Sequence, residues 1–129
     1  MIVQDNWSEG QVKGAPDPNG TNGTGIAYSI ILRAGANTKI LRNNAQGFGA
    51  GIGIELDGPG EIAGNYMDAF DYGAIVYGAG FYVHDNVFVN TPLAAVLDYN
   101  NGAKGGTIQN NIGRALNTLR PPERRIWPP

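Results

Sequence analysis

The sequence predicts an all-β fold: a short parallel β-solenoid of about four turns with irregular N- and C-terminal arms. Three observations carry this. First, four segments repeat one pattern, Ile40-Leu41-Arg42-Asn43, Ile62-Ala63-Gly64-Asn65, Val83-His84-Asp85-Asn86 and Ile108-Gln109-Asn110-Asn111. Each is a β-branched residue, two variable residues and an asparagine. The asparagines stand 22, 21 and 25 residues apart, a period that marks one turn of a solenoid. Second, an apolar strand precedes three of them, Gly51–Leu56, Gly73–Tyr77 and Ala94–Asp98, and Ile30-Ile31-Leu32 precedes the first. Third, glycine is abundant, 20 of 129 residues, and only 16% of residues are charged, unlike a helical bundle.

Taken in order, residues 1–23 read as an irregular arm. The turn-forming run Gly14-Ala15-Pro16-Asp17-Pro18-Asn19-Gly20 excludes a strand or helix across it. Residues 24–117 are the β-helix domain. There Ile40, Ile62, Val83 and Ile108 are expected to form one inward column, and Ile54, Ile75 and Val96, again 21 apart, a second. Phe48 and Phe70, continued by Thr91 and Leu116, make a third. Asn43, Asn65, Asn86 and Asn111 are expected at a corner. There asparagine tolerates the left-handed backbone region, and stacked side-chain amides can form a ladder. Gly51, Gly73 and Ala94 are small where the chain bends. Residues 118–129 carry four prolines and read as an extended arm. Ile126 and Trp127 there, with Trp7 at the other end, are either idle or partner-docking anchors.

The repeated strand ends, their spacing and the glycine-rich turns resemble the right-handed parallel β-helix of the pectate-lyase-like superfamily. That group includes polysaccharide lyases, glycosidases, epimerases and phage tailspikes. The resemblance covers residues 24–117. It implies that any active site would use outward-facing carboxylates with Arg or Lys, sometimes with calcium.

The candidates for such chemistry are Asp68 and Asp71, with Glu55, Asp57, Asp85, Asp98, Lys104 and Arg42. Two carboxyl groups flanking a sugar bond could serve hydrolysis, but aspartate is also a favoured turn residue. His84, the only histidine, is expected to face outward. As a base it would need an orienting partner, and in a regular strand Asp85 would point to the opposite face. Tyr66, Tyr72, Tyr77, Tyr82 and Tyr99 suit either a sugar-binding face or a subunit interface. No phosphate loop, nucleophile elbow or zinc spacing occurs, so no catalytic residue, cofactor or metal is assigned.

A net charge of −2 gives no nucleic-acid footprint, and no apolar run is long enough to span a membrane as a helix. Ile31, Leu41, Val76 and Leu97 fall out of phase with the inward columns and are expected on an outer apolar face. By resemblance to short phage β-helices, that face implies a homotrimer. The expectation is therefore a non-enzymatic structural protein of a virion, assembled in the host cytoplasm. It would be a phage capsid decoration (cement) protein or a short tail-spike component, bound to other virion proteins through its arms. The alternative is a polysaccharide-binding or polysaccharide-processing module, a lyase, epimerase or glycosidase, with Asp68, Asp71 and Asp85 as its acidic centre.

Overall fold

A computed structural model describes residues 1–9, 30–47, 51–99, 105–114 and 118–119. Among them the chain is wound from short parallel strands and contains no helix. An incomplete turn opens it, β1 (Ile2–Gln4) and β2 (Trp7–Glu9). Three complete turns follow. The first is β3 (Ile30–Ala34), β4 (Thr38–Leu41) and β5 (Asn44–Gln46). The second is β6 (Ile52–Asp57), β7 (Gly60–Ala63) and β8 (Tyr66–Asp68). The third is β9 (Tyr72–Tyr77), β10 (Phe81–His84) and β11 (Val87–Val89). Then come β12 (Ala94–Asp98), β13 (Gly106–Gln109), an isolated bridge of Ile112 to Val87, and β14 (Thr118–Leu119). Three sheets result, ordered β1-β4-β7-β10-β13, β2-β5-β8-β11 and β3-β6-β9-β12-β14. All eleven strand pairings are parallel.

The fold is thus the parallel β-helix expected, with three complete turns instead of about four. The first sheet carries the expected inward column in register, Ile40 on Ile62 on Val83 on Ile108. Val3 extends it by one rung. Ile40, Ile62 and Val83 are fully buried, each worth about 1.5–3 kcal/mol relative to exposure. The second sheet contributes Ala45, Met67 and Phe88, which grow along the stack. The space is balanced from the third sheet. A Cβ on Gly73 would lie 2.3 Å from a Phe88 ring carbon, so the largest side chain faces a position with none.

The second expected column is corrected by one residue. Ile54 is level with Ala74, and Ala74 with Val96; Ile75 is level with Glu55 and Leu97. The successive spacings are 20 and 22, so an even 21-residue step lands on the wrong side of a pleated strand. Ile54, Ala74, Val76 and Val96 fill the central core. Val76 therefore belongs to the core and not to the outer face. Leu97 does lie on the outer side of the third sheet, but buried in a second cluster with Ile52, Tyr72, Ile75 and Ala94. Gly73 is likewise level with Gly53 and Ala95, not with Gly51 and Ala94. Leu41 is half-buried, and the side chain of Ile31 lies outside the described residues. Of the third column, Phe70 and Thr91 are buried, and Phe48 and Leu116 lie outside the described residues.

Both arms contribute strands. Residues 2–9, read as irregular, form a rung beneath β4 and β5, and Thr118–Leu119 pair with Leu97–Asp98. Trp7 lies on β2 and is 68% exposed. Ile126, Trp127 and Lys104 lie outside the described residues.

Candidate functional site

The corner between the first and second sheets holds the expected asparagine ladder. Asn43 Nδ2 donates to Asn65 Oδ1 at 3.0 Å, Asn65 Nδ2 to Asn86 Oδ1 at 2.9 Å, and Asn86 Nδ2 to Asn111 Oδ1 at 2.9 Å. Each Oδ1 also accepts the backbone N–H of the asparagine one turn back, at 2.8–3.0 Å. Each Nδ2 reaches back to the carbonyl of the β-branched residue one turn earlier, as Asn65 does to Ile40 at 2.9 Å and Asn86 to Ile62 at 2.9 Å. Asn43, Asn65 and Asn86 are at most 3% exposed. The ladder therefore satisfies backbone groups that the sheets leave unpaired at a bend, as buried polar groups require.

Two details differ from expectation. Asn6 is a further rung, donating to Asn43 Oδ1 at 2.9 Å. Its signature is present as Val3-Gln4-Asp5-Asn6, but 37 residues separate it from Asn43, which hides it from a search at a period near 21. Second, the left-handed residue is the one before each asparagine. Asp5, Arg42, Gly64, Asp85 and Asn110 have φ of 57°, 52°, 68°, 55° and 56°. The asparagine is retained for its amide, not for its backbone tolerance.

That left-handed column exposes a line of side chains. Arg42 donates to both carboxylate oxygens of Asp5, at 2.8 and 2.9 Å. This fork holds the Asp5 carboxyl below the usual carboxylate range and raises Arg42. At Asp85 the same backbone bend overrides strand alternation. Its Oδ2 lies 2.7 Å from His84 Nδ1, on the side the sequence reading excluded. Glu61 Oε2 takes the other nitrogen, Nε2, at 2.7 Å, and Tyr82 stacks on the ring at 3.9 Å. Gln109 donates to the Tyr82 hydroxyl at 2.7 Å. Burial works against a charged His84 ring, but the bonds to Glu61 and Asp85, with their charges, outweigh it and raise the pKa. The two carboxylates bracket the ring and favour its protonated form, in which both nitrogens donate.

Of the proposed acidic centre, Asp85 stands apart from Asp68 and Asp71. Asp68 ends β8 and accepts from Asn90 Nδ2 at 2.9 Å. Asp71 accepts the Gly51 N–H at 3.4 Å at the next corner. Asp85 lies across the second sheet from both, beyond a three-residue strand about 10 Å long. On the outer side of the third sheet Glu55 is 4% exposed and pairs with Arg33 at 3.0 Å. Burial raises the Glu55 pKa despite Arg33. Asp57 is exposed at the end of β6, and Asp98 is buried on β12. Among the described residues no group of three or more His, Asp or Glu side chains could hold a metal ion.

The tyrosines do not share one face. Tyr82 lies on the first sheet and Tyr66 on the second, while Tyr72, Tyr77 and Tyr99 gather beside the third. Tyr77 and Tyr99 rings meet at 4.7 Å, and burial first, then the nearby Glu55 charge, raises the Tyr77 pKa. No protein family, curated protein or solved structure matches the chain.

Proposed function

We propose that the chain is a non-enzymatic structural protein whose β-helix acts as a rigid building block. The observation that carries this reading is how the acidic candidates are engaged. Of them, Glu55, Asp68, Asp71 and Asp85 each contact a residue outside their own strand or lock the single histidine, as Asp5 and Glu61 also do. The setting that fits a short β-helix of the pectate-lyase-like kind is a virion. There it would serve as a trimeric phage decoration protein or a tail-spike component, with Trp7, Ile126 and Trp127 docking on other virion proteins.

The test is co-sedimentation with virus-sized particles from producing cells. Removal of residues 120–129 spares the fourteen strands of the described residues and is expected to release the protein from the particle. Unchanged particle binding overturns the role of the arm. Depolymerisation of acidic or neutral polysaccharides by the purified protein overturns the non-enzymatic reading.

One observation favours a second reading, glycan binding without cleavage. Tyr82, His84 and Gln109 form a contiguous polar and aromatic cluster on the outer side of the first sheet, a chemistry suited to a sugar. A glycan array on the intact protein and on Tyr82→Ala separates it from the first.

A further inference from the structure

The second sheet holds two exposed aromatic side chains in one line, and we propose that this face binds a neutral, linear β-1,4-linked glycan laid along the solenoid axis. It is a different face from that of the Tyr82 cluster, and the inference depends neither on that cluster nor on a virion setting. It gives Trp7 a glycan in place of a protein partner, and the test separates the two.

The second sheet stacks β2, β5, β8 and β11. Its central residues Ala45, Met67 and Phe88 are buried against the core. Strand alternation therefore turns the residues on either side of them outward. The first outward column runs Trp7, Asn44, Tyr66 and Val87, each level with the next. Trp7 is 68% exposed and Tyr66 39%, and they are the two exposed aromatic side chains among the described residues. Val87 and, across the bridge, Ile112 continue the column without rings. Apolar side chains scattered singly over a surface need no account, but two aromatics in one outward column do.

The register sets their spacing. Trp7 and Tyr66 are two rungs apart, about 10 Å along the axis. A pyranose ring has a face of C–H groups that packs on an aromatic ring and leaves water. In a β-1,4-linked chain successive rings are turned over, so the same face returns at every second ring. Two rings of such a chain span close to the distance between Trp7 and Tyr66. The chain is also straight, as the column is, whereas an α-1,4-linked chain curls away from it. Asn44 is exposed midway between the aromatics, and Gln46 is half-buried two residues further along the same strand. Their amides both donate and accept, the pairing that sugar hydroxyls need.

Charge narrows the ligand further. The four strands contain two acidic residues, Glu9 and Asp68, which with Gln46 occupy one register position, and no lysine or arginine. Arg42, at the corner before β5, is held by Asp5, and Arg114 follows the Ile112 bridge, at the far end from Trp7. A polyuronate or sulfated chain would meet carboxylates beside the aromatic pair and no cation. A neutral chain meets no such opposition.

The test is isothermal titration calorimetry of the intact chain with cellohexaose, mannohexaose and polygalacturonate, repeated on Trp7→Ala, Tyr66→Ala, Trp7→Phe and Tyr82→Ala. The wild type is expected to bind at least one of the neutral hexasaccharides and not polygalacturonate. Trp7→Ala and Tyr66→Ala are each expected to weaken that binding by about tenfold or more. Trp7→Phe keeps a ring and is expected to retain most of the affinity, and Tyr82→Ala all of it. The matching disaccharide reaches one aromatic only and is expected to bind the wild type no better than the hexasaccharide binds Trp7→Ala. Absence of binding to both neutral hexasaccharides overturns the proposal, and so does preference for polygalacturonate. Binding lost in Tyr82→Ala but kept in Trp7→Ala moves the glycan to the first sheet, which overturns the proposal and leaves the second reading above standing. Self-association of the wild type, seen by sedimentation velocity and abolished by Trp7→Ala without any glycan binding, makes the face a protein contact and overturns it as well.

Discussion

Replacing Asn65 by alanine removes one rung from the middle of the ladder, and the structure fixes what is lost. Asn65 is 1% exposed. Its Oδ1 accepts the Asn43 backbone N–H at 2.8 Å and Asn43 Nδ2 at 3.0 Å; its Nδ2 donates to Ile40 O at 2.9 Å and Asn86 Oδ1 at 2.9 Å. Two of these partners keep another bond. Asn43 Nδ2 still reaches Val3 O, and Asn86 Oδ1 still accepts from the Asn65 backbone. The Asn43 N–H loses its acceptor and Ile40 O a donor, in a site too buried for water to replace them. At roughly 1–3 kcal/mol for each stranded group, the expected loss is about 3 kcal/mol. This is a large part of the stability of an ordinary domain. Urea unfolding followed by circular dichroism measures it, with the slope checked for constancy. Asn6→Ala is the control. It alters the same residue type at an exposed end rung and is expected to cost well under half as much. A loss at Asn65 below about 0.5 kcal/mol, or equal to that at Asn6, refutes the assignment of the ladder as a satisfier of buried backbone groups.

Three further outcomes are expected. His84 has a raised pKa, so its folding contribution is complete below the unfolded value of about 6.5 and is lost as pH rises through the higher folded value. Because it is the only histidine, its ring proton resonance can be titrated directly, and a midpoint at or below 6.5 contradicts the Glu61–His84–Asp85 arrangement. Glu55 is also raised, which makes its ionised form a net cost at neutral pH; Glu55→Gln is expected to stabilise at pH 7 and to lose that advantage in acid, read as the pH dependence of the unfolding midpoint. Gly73→Ala drives a Cβ into Phe88 and is expected to destabilise by about 2 kcal/mol or more, while Gly35→Ala, with no atom within 4 Å of its Cβ, is expected to be neutral or slightly stabilising on thermal unfolding.

The fold was legible because its determinants are local and repeated. A β-branched residue and an asparagine three positions later mark the end of each first-sheet strand, and they align whenever the loops between them keep the period. Where loop length varies, the same logic misleads. The insertion after β2 conceals the Asn6 rung. A shift between steps of 20 and 22 residues turns Ile75 outward and Val76 inward, although the average remains 21. The His84 cluster was hidden for another reason. Asp85 meets its neighbour only because it is left-handed, and aspartate does not announce that conformation as glycine would. Glu61, 23 residues away, meets His84 across the stack, a contact that becomes readable once the register β7 to β10 is known. Nothing in the repeat itself distinguishes a scaffold from a site. The contacts of the acidic side chains are not legible in it either, because they depend on geometry at the corners.

The central claim is that the inner polar groups serve to bind one turn to the next. Hydrogen exchange of the Asn43, Asn65 and Asn86 side-chain amides, followed by NMR with cross-turn contacts along Ile40, Ile62 and Val83, tests it most directly. Slow exchange at all three amides, with contacts linking each turn to the one above, is the expected result. Exchange as fast as that of an exposed asparagine, or absence of those cross-turn contacts, would contradict it.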